Sequence, residues 1–582
     1  MSVKSAIRLL ESRSVSSLLQ INQKLRDVRI QGWARRVETR GKFLFVRISD
    51  GCSLKTIQTV VDRSICPKVP VGSAVDVVGD WVKSHGKQQS MELFATNCEV
   101  VGLQQKMFSE LPNEENRADV TRKKYHLRMK SIPFMCLLRL RSQLDQLSRS
   151  FFQNESFIHV DTPLLTHNDC EGAGDVFTVQ VDKQNYFGDQ AVYLPVSSQL
   201  HLESFVGSLP KVYTIAPALR ADHSQTRQHL AEFRMLEAEY AFADDLEQLC
   251  DLVERYINYV VDGMLNWDME EINSMMQVFC DENAKVQSLL WINGSRKPLP
   301  RIHYNEAVTL LQSKGEMIPG GRFSKENELS LVQHCAGPLF VLRYPHTQKP
   351  FYMKRCNNYA ECFDLLAPFV GELAGGSLRE SDSEELHRRG CDDSLDWYLE
   401  MRQHGHPPSA GFGIGLERFM QALFGILNIK DTVAFPRWYV LMDILFDEKG
   451  GVVTESAIYV ALCKQIGILF GDYGMAAVKL SLNVKVFDAG TATTIVRISK
   501  ESAQRLLSAI PFVCTIDSIP VVLQVLFVGS SIRSCQRALL RVNRKNLYSN
   551  YITAKTDGEK KDIMEAIRSV TGNVKFEDTL NA

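Results

Sequence analysis

The stretch Gly411-Phe-Gly-Ile-Gly-Leu-Glu-Arg418 sets three glycines at alternate positions and follows them with an arginine. In an extended strand, alternate residues share one face, so this text describes a strand with one bare face that runs into a helix start. Bare backbone lets a ligand approach closely, and Arg418 supplies a cation at the same place. A nucleotide polyphosphate needs both features. Tight turns also produce glycines at this spacing, so the segment acquires meaning only with its surroundings. A dinucleotide fold is excluded, because that fingerprint has a different glycine spacing and opens the first βα unit.

Two further segments upstream carry chemistry. Leu219-Arg-Ala-Asp222, followed by Gln228-His-Leu-Ala-Glu232-Phe-Arg-Met-Leu-Glu237, gathers Arg220, Asp222, His229, Glu232, Phe233 and Glu237 between apolar strand text. An arginine can hold a phosphate through two bonds, and an aromatic face can stack on a base. The same charges are also compatible with a solvated hairpin. Asp364-Leu-Leu-Ala-Pro-Phe-Val-Gly-Glu372-Leu-Ala-Gly-Gly-Ser-Leu-Arg379 sets two carboxylates in apolar text, which is costly unless they are paired or bind a metal. Hard oxygen ligands suit Mg²⁺ held jointly with phosphates; an internal salt bridge to Arg379 is the alternative.

Around these segments the chain falls into several blocks. Its 582 residues correspond to roughly three or four domains at about 150 residues each. With 45% apolar and 23% charged residues, wholesale disorder, collagen and coiled coil are excluded. Short β-rich runs at Val28–Val37, Phe43–Ile48, Thr56–Val61, Ala74–Val82 and Met91–Val101 suit a small closed barrel of the OB type, which commonly holds single-stranded nucleic acid. A polar connector follows. The apolar periodicity from Ile132 through Phe152 predicts a long helix, which runs into a strand ending at Pro163. After residue 436 comes a separate α/β block and then a charged tail. Lys plus Arg (67) against Asp plus Glu (68) gives a net charge of −1, so any nucleic-acid partner must be met by a local basic surface.

The fourteen cysteines lack CxxC or zinc-ligand spacing and read as reduced thiols. The longest apolar run, Ile519 to Val528, suits a buried strand and is too short to span a membrane. Residues 1–26 carry Lys4, Arg8, Arg13, Lys24 and Arg26 against Glu11, with several serines. That is the composition of a mitochondrial presequence.

The three chemical segments, in this order, resemble motif 2, the metal-binding strand and motif 3 of class II aminoacyl-tRNA synthetases; the long helix, strand and Pro163 resemble motif 1. Within that class, Asn168-Asp-Cys-Glu-Gly-Ala-Gly-Asp175, Val196-Ser-Ser-Gln-Leu-His-Leu-Glu203 and Gly371-Glu-Leu-Ala-Gly-Gly-Ser-Leu-Arg-Glu380 resemble the asparaginyl enzymes, mitochondrial type, over about residues 28–437. Aspartyl-tRNA synthetase is the neighbouring reading within the class. The resemblance implies a multidomain fold: a possible presequence (1–27), an OB-type anticodon-binding β-barrel (28–105), a linker (106–131), and an α+β catalytic domain on an antiparallel sheet (132–437). It implies ATP and Mg²⁺ as cofactors, asparagine and tRNA(Asn) as substrates, and a homodimer formed through motif 1.

Residue by residue, the resemblance implies that Arg220 holds the α-phosphate and Phe233 stacks on adenine. Arg418 covers the other adenine face beside Gly415, with Asp222, Arg227 and His229 also on the ATP side. Asp364 and Glu372 carry the metal, Glu237 and Arg379 read the two ends of the asparagine carboxamide, and Glu171 and Gln199 hold its α-amino and carboxylate side. An amide offers one donor end and one acceptor end, so an acid and a guanidinium complement it. In the barrel, Phe45 and Gln58, with Glu92, match positions that stack on and read an anticodon base, although Phe45 is equally compatible with a core position. Two departures stand out: Gln228 replaces the family's arginine, with Arg227 one step earlier, and Asp222 replaces a glutamate.

From Arg437 onward the text resembles the Pop-five protein subunit of ribonuclease P and MRP. The resemblance is carried by Phe470-Gly-Asp-Tyr-Gly-Met-Ala-Ala, Leu482-Asn-Val-Lys-Val-Phe-Asp and Val525-Leu-Phe-Val-Gly-Ser-Ser-Ile-Arg-Ser-Cys-Gln536. It implies a small α/β sandwich over 438–548, followed by a charged tail over 549–582, with ribonuclease P/MRP RNA and protein subunits as partners. Arg533, Arg537, Arg541 and Lys545, with Arg544 beside them, recur at helical spacing without an intervening acid, a pattern that favours phosphate contact. No Gly/Ser/Pro linker separates the two texts, so the junction fits either a bifunctional fusion or two joined reading frames. The family destinations also differ, the mitochondrial matrix for one part and the nucleus for the other. Three functional readings follow: an asparagine–tRNA ligase, an aspartyl enzyme, or an RNA-binding protein whose synthetase half has decayed.

Overall fold

The computed structural model describes residues 11–86, 89–105, 125–167, 176–179, 187, 191–220, 228–295, 297–389, 395–434, 438–446, 453–479, 482–488, 492–498, 500–517, 519–529, 535 and 539. Two compact units emerge, Met1–Arg220 with Glu232–Ala434, and Ala221–Ala231 with Phe435–Ala582.

The first unit opens with a closed barrel. Strands β1 (Leu25–Arg40), β2 (Phe43–Ser49), β3 (Ile57–Asp62), β4 (Ala74–Lys83) and β5 (Met91–Gly102) close in the order β1-β2-β3-β5-β4. The β3–β5 pair is parallel and the others antiparallel. Alternation decides which side chains fill it. Leu44, Val46 and Ile48 of β2 are buried inside, whereas Phe43, Phe45 and Arg47 are half-buried on the outer face. Phe45 is therefore not a core residue.

The described part of the amino-terminal stretch packs on the barrel. Ser14 caps the helix Val15–Leu19, which inserts the fully buried Val15 and Leu18 into the barrel core. The Val15 N–H donates to Asp50 Oδ2 at 2.7 Å, and the Trp81 indole N–H donates to the Ile21 carbonyl at 2.8 Å. From Ser12 onward, where a backbone bridge reaches Arg29, the stretch expected as presequence is part of the barrel.

Helix α1 (Ile132–Asn154) starts at a Ser131 cap with Pro133 in its first turn. It buries Phe134, Leu137, Leu140, Leu144 and Phe151, spaced for one face. Just before it, the buried Arg128 guanidinium lies 4.1 Å from the Phe134 ring. It pairs with Asp431 and donates to the carbonyls of Lys430, Val433 and Ala434. Arg139 joins barrel to catalytic domain, donating to the Gly51 carbonyl at 2.9 Å while pairing with Glu271.

The larger sheet has eight strands: β6 (Ile158–His159), β7 (Lys211–Leu219), β8 (Glu232–Ala241), β9 (Arg301–His303), β10 (Leu339–Leu342), β11 (Cys362–Ala367), β12 (Gly371–Leu378) and β13 (Ser409–Gly415). Their order is β9-β10-β11-β12-β13-β8-β7-β6. The six central strands are antiparallel, as expected, and each edge adds one short parallel strand. One face packs on α1 and on α2 (Leu246–Leu265), with Phe152 stacked on Tyr213 at 4.8 Å and Tyr256 between them and Phe412. The opposite face carries the polar row described below. Among the described residues no helix is long and apolar enough to cross a membrane.

The second unit contains strands β14 (Trp438–Phe446), β15 (Asn483–Asp488), β16 (Thr493–Ile498), β17 (Thr515–Ile516) and β18 (Ile519–Gly529) in antiparallel order β15-β16-β14-β18-β17. Helices Glu455–Lys479 and Lys500–Ala509 cover one face, burying Met442, Ile444, Ile458, Val496, Ile498 and Leu506. The strand expected to be wholly buried at Ile519–Val528 instead alternates, with Val521 and Leu523 inside and Val522 exposed. The run Arg533, Arg537, Arg541, Arg544 and Lys545 lies outside the described residues.

Candidate active site

Cross-strand register assembles the site. Asp364 of β11 faces Gly375 of β12, which faces Gly413 of β13, which faces Glu237 of β8 and then Thr214 of β7. Directly opposed residues share a face, so a row runs from one carboxylate to the other across two bare glycines. The next row, two residues along, reads Cys362, Ser377, Gly411, Glu239 and Val212. The glycines are required. A Cβ on Gly411 would lie 2.2 Å from the Glu239 carboxyl carbon, and one on Gly413 would lie 2.6 Å from Met235 Cε.

Each charged side chain on this face is fixed by a neighbour. Glu237, 4% exposed, accepts the Ser197 hydroxyl on one oxygen and the Ser198 N–H on the other at 2.8 Å. Arg379 donates through Nε (3.2 Å) and Nη2 to Glu239, and through Nη1 to Ser377 Oγ at 2.7 Å. Burial pushes the Glu239 carboxyl upward, opposed by Arg379. Burial disfavours the Arg379 charge, but Glu239 more than offsets this, and the guanidinium stays protonated. Gln199 Nε2 is buried without a hydrogen-bond partner among the described residues, an arrangement that costs free energy until an acceptor arrives.

At the far end of the row, Lys349 Nζ donates to both Asp364 oxygens at 2.7 Å and lies 4.0 Å from the Tyr344 ring. Burial raises the Asp364 carboxyl and Lys349 counters it. The register shift between Leu365 and Leu366 re-aims the side chains there. Asp364 Oδ1 and Glu372 Oε1 consequently lie at equal distances, 3.7 Å, from the Gly375 Cβ position. The helix Lys325–His334 adds two charges. Glu328, which accepts the Glu372 N–H at 3.0 Å, is pushed up to about 7 by burial and the Glu372 charge. Lys325 is pushed down to about 8 by burial and Arg418. Among the described residues no three acid, His or Cys side chains converge to hold a metal alone.

Phe233, Gly415 and Arg418 gather at the end of β13. The Gly415 Cβ position is 3.7 Å from the Phe233 ring and 3.9 Å from Arg418 Cβ. Arg220 sits 5.7 Å from the Phe233 ring centroid, and Arg418 Nη1 donates to the Glu372 carbonyl at 2.9 Å. His229 and Gln228 are half-buried. Glu171, Asp222 and Arg227 lie outside the described residues. Glu239, Lys349, Glu328 and Lys325 were not anticipated from sequence. The first had a visible signal, since Glu237 and Glu239 share strand parity with Gly375, Ser377 and Arg379.

A second site lies on the barrel. A cleft of about 570 Å³ is lined by Arg36, Arg40, Phe45, Arg47, Gln58 and Glu92, among others. Glu92 is its hub, accepting from Gln58 (3.0 Å), Ser84 (2.9 Å) and Gln89 (3.3 Å). Arg40 stands 5.7 Å from the Phe45 ring centroid.

Comparison with known proteins matches residues 117–439 to the family described as tRNA synthetases class II (D, K and N). The chain belongs to the class II tRNA synthetases. Residues 28–101 match the OB-fold nucleic acid binding domain, and residues 438–540 match the Rpp14/Pop5 family. The asparaginyl-tRNA synthetase of Mus musculus is 37% identical over 71% of this chain and 90% of its own length. A probable mitochondrial asparagine–tRNA ligase of Dictyostelium discoideum is 32% identical over 71% and 93%. Among solved structures, asparaginyl-tRNA synthetase from Pyrococcus horikoshii complexed with asparaginyl-adenylate aligns with a TM-score of 0.65 at 28% identity, covering 74% of this chain and 98% of that one. The class II match spans the antiparallel sheet with its polar row, and the OB-fold match spans the barrel.

Proposed function

We propose that the chain is an asparagine–tRNA ligase. The observation that carries this reading is the pair Glu237 and Arg379, an acceptor and a donor fixed on adjacent rows of one sheet face. The asparagine carboxamide NH₂ donates to Glu237 and its oxygen accepts from Arg379, while the orphaned Gln199 amide and Glu171 hold the α-amino and carboxylate end. The amino-acid carboxylate oxygen attacks the α-phosphorus of ATP, the bond to the bridging oxygen breaks, and diphosphate leaves. Arg220 stabilises the charge developing on the α-phosphate, and Phe233, Gly415 and Arg418 orient the base. Asp222, Arg227 and His229 complete the phosphate side. A hydroxyl of the terminal tRNA ribose then attacks the acyl carbon and AMP leaves. No protein nucleophile is needed.

Asp364 and Glu372 fit Mg²⁺ shared with phosphates, because two carboxylates border bare backbone and no all-protein cage exists among the described residues; the ion would neutralise phosphate charge there. Phe45, Gln58 and Glu92 read a tRNA base in the barrel cleft. Exposed apolar residues after α1, Ile158, Leu164 and Leu165, support a homodimer through motif 1. The Dictyostelium relative supports action in the mitochondrial matrix.

ATP–pyrophosphate exchange tests the ligase reading. Exchange with asparagine far above that with aspartate is expected. The reverse preference favours the aspartyl reading, and no exchange with either favours decay.

The Rpp14/Pop5 match supports a second role for residues 438–548, contact with ribonuclease P/MRP RNA and its proteins. Replacing Arg533 and Arg537 together by Glu is expected to weaken RNA binding by this block and flatten its salt dependence; no change in either refutes the basic stripe. A single full-length product near 65.9 kDa is expected of a bifunctional chain, whereas two shorter products would show joined reading frames.

A further inference from the structure

We propose that Arg139 is a positioning residue for the tRNA step, which holds the barrel at a fixed distance and angle from the active site so that one tRNA engages both. The inference rests on the ligase reading and on the barrel cleft as the place where a tRNA base is read. A rigid ligand that bridges two sites gains from its second contact only while the geometry lets both engage at once. Two modules of one chain move relative to each other unless something fixes their interface.

Helix α1 supplies that fixture. The Arg139 side chain is 17% exposed and that of Glu271, on the helix Met269–Phe279, is 3% exposed. Arg139 Nε and Nη2 donate to the two carboxylate oxygens at 3.0 and 2.8 Å, and Nη1 reaches across to the Gly51 carbonyl between β2 and β3 at 2.9 Å. Trp267 Nε1 donates to the same carboxylate at 3.0 Å. Glu271 therefore anchors Arg139 on the body, and Gly51 receives it on the barrel. A planar fork of donors serves both partners at once, which a point-charge ammonium does not.

The loop that receives Arg139 is itself braced. Gly51 has φ +82°, a left-handed conformation that favours glycine, and a Cβ there would lie 3.2 Å from the Trp33 ring. Asp50 accepts the Val15 and Cys52 N–H groups at 2.7 and 3.0 Å, and Leu54 packs on the same apolar core as α1. Two residues on from Arg139, about 200° around the helix, Arg141 donates to Glu417 at 2.6 Å. Glu417 also accepts the Arg234 N–H at 3.0 Å. Glu417 and Arg234 adjoin Arg418 and Phe233 in sequence, the residues placed on the base of ATP. One helix thus holds the barrel loop with one arginine and the nucleotide end of the site with another.

Three measurements on the full chain provide the test: asparagine-dependent ATP–pyrophosphate exchange without tRNA, kcat/KM for a tRNA(Asn) transcript in aminoacylation, and binding of a stem-loop that carries the anticodon alone. Arg139→Met is expected to lower kcat/KM for tRNA by about tenfold or more, equivalent to roughly 1.4 kcal/mol. Exchange and stem-loop binding are expected to stay within about twofold, roughly 0.4 kcal/mol. Arg139→Lys keeps a cation against Glu271 and is expected to lose less of the tRNA step. Gly51→Ala strains the loop from the barrel side, leaves the ion pair intact, and is expected to give the same split as Arg139→Met; it decides the matter should Arg139→Met fail to fold. An unchanged kcat/KM for tRNA in the Met and Ala variants overturns the proposal. So does a loss shared equally by exchange or by stem-loop binding, which would make Arg139 a structural residue of the fold alone. A wild-type chain without exchange refutes the ligase reading, and one that exchanges without binding the stem-loop refutes the barrel reading; the wild-type arm reports each separately.

Discussion

The two open sheets of this chain use the same backbone for opposite ends. The eight-stranded sheet buries Asp364, Glu237, Glu239 and Arg379 on one face, whereas in the five-stranded sheet all six residues of Thr493–Ile498 are buried and most are β-branched or aliphatic. The first sets glycines at 411 and 413, where a Cβ would crowd Glu239 and Met235, and a separate partner for each charge; β16 contains no glycine. Burying charge therefore imposes two requirements, room made by absent side chains and a fixed counter-ion or donor. In β16 only Arg497 is a buried charge, and its five neighbours are free of both requirements.

The largest effect expected from this contrast is at Lys349. Replacing it with Met leaves Asp364 buried without its cation, and breaking such a pair costs about 3–5 kcal/mol. A lower denaturation midpoint together with lost exchange activity is expected; retention of both would mean that Asp364 reaches solvent. On the helix that covers the other sheet, Leu506→Ala removes a fully buried aliphatic group and is expected to cost about 2–5 kcal/mol. The second unit would then unfold at lower denaturant, and an unshifted transition would show that its core is loosely filled.

The barrel offers a third case, apolar within and functional without. Phe45→Ala is expected to raise KM for tRNA, reflecting the loss of about 1–3 kcal/mol per stacked base. Asparagine-dependent exchange without tRNA should not change. A change in exchange instead would place Phe45 in the barrel's support of the catalytic domain. The smallest effect concerns thiols. Burial pushes Cys98 up to about 12 and Cys136 to about 11, so both stay protonated and unreactive near neutrality. Exposed Cys52, Cys356 and Cys514 should alkylate first in the native chain; early labelling of Cys98 would indicate an opening barrel.

Much of this was legible before any coordinates. The five barrel strands lie within a few residues of their expected limits, because alternation and turn residues are local signals. Asp364, Glu237, Arg379 and Arg418 also stand out in the sequence, since costly charges in apolar text demand a reason, and cross-strand register places Asp364 and Glu237 in one row. Lys349 was not readable, because its partner is fixed by pairing between strands rather than by spacing. Glu239 was overlooked although period-two parity places it beside Glu237. At the amino terminus, counting arginines and serines does not register that Val15 and Leu18 sit three apart on one helical face. At Phe45 the same parity rule would have decided between core and surface.

The Arg128 latch has a consequence for how the chain is made. Its ion-pair partner, Asp431, lies 303 residues later, and three of its carbonyl acceptors lie at 430–434. At about 5–20 residues per second, a ribosome takes roughly 15–60 s to deliver them. Throughout that interval the segment just before α1 carries a cation whose finished surroundings have not yet been made. The seat of Arg128 is completed only once residue 434 has been added.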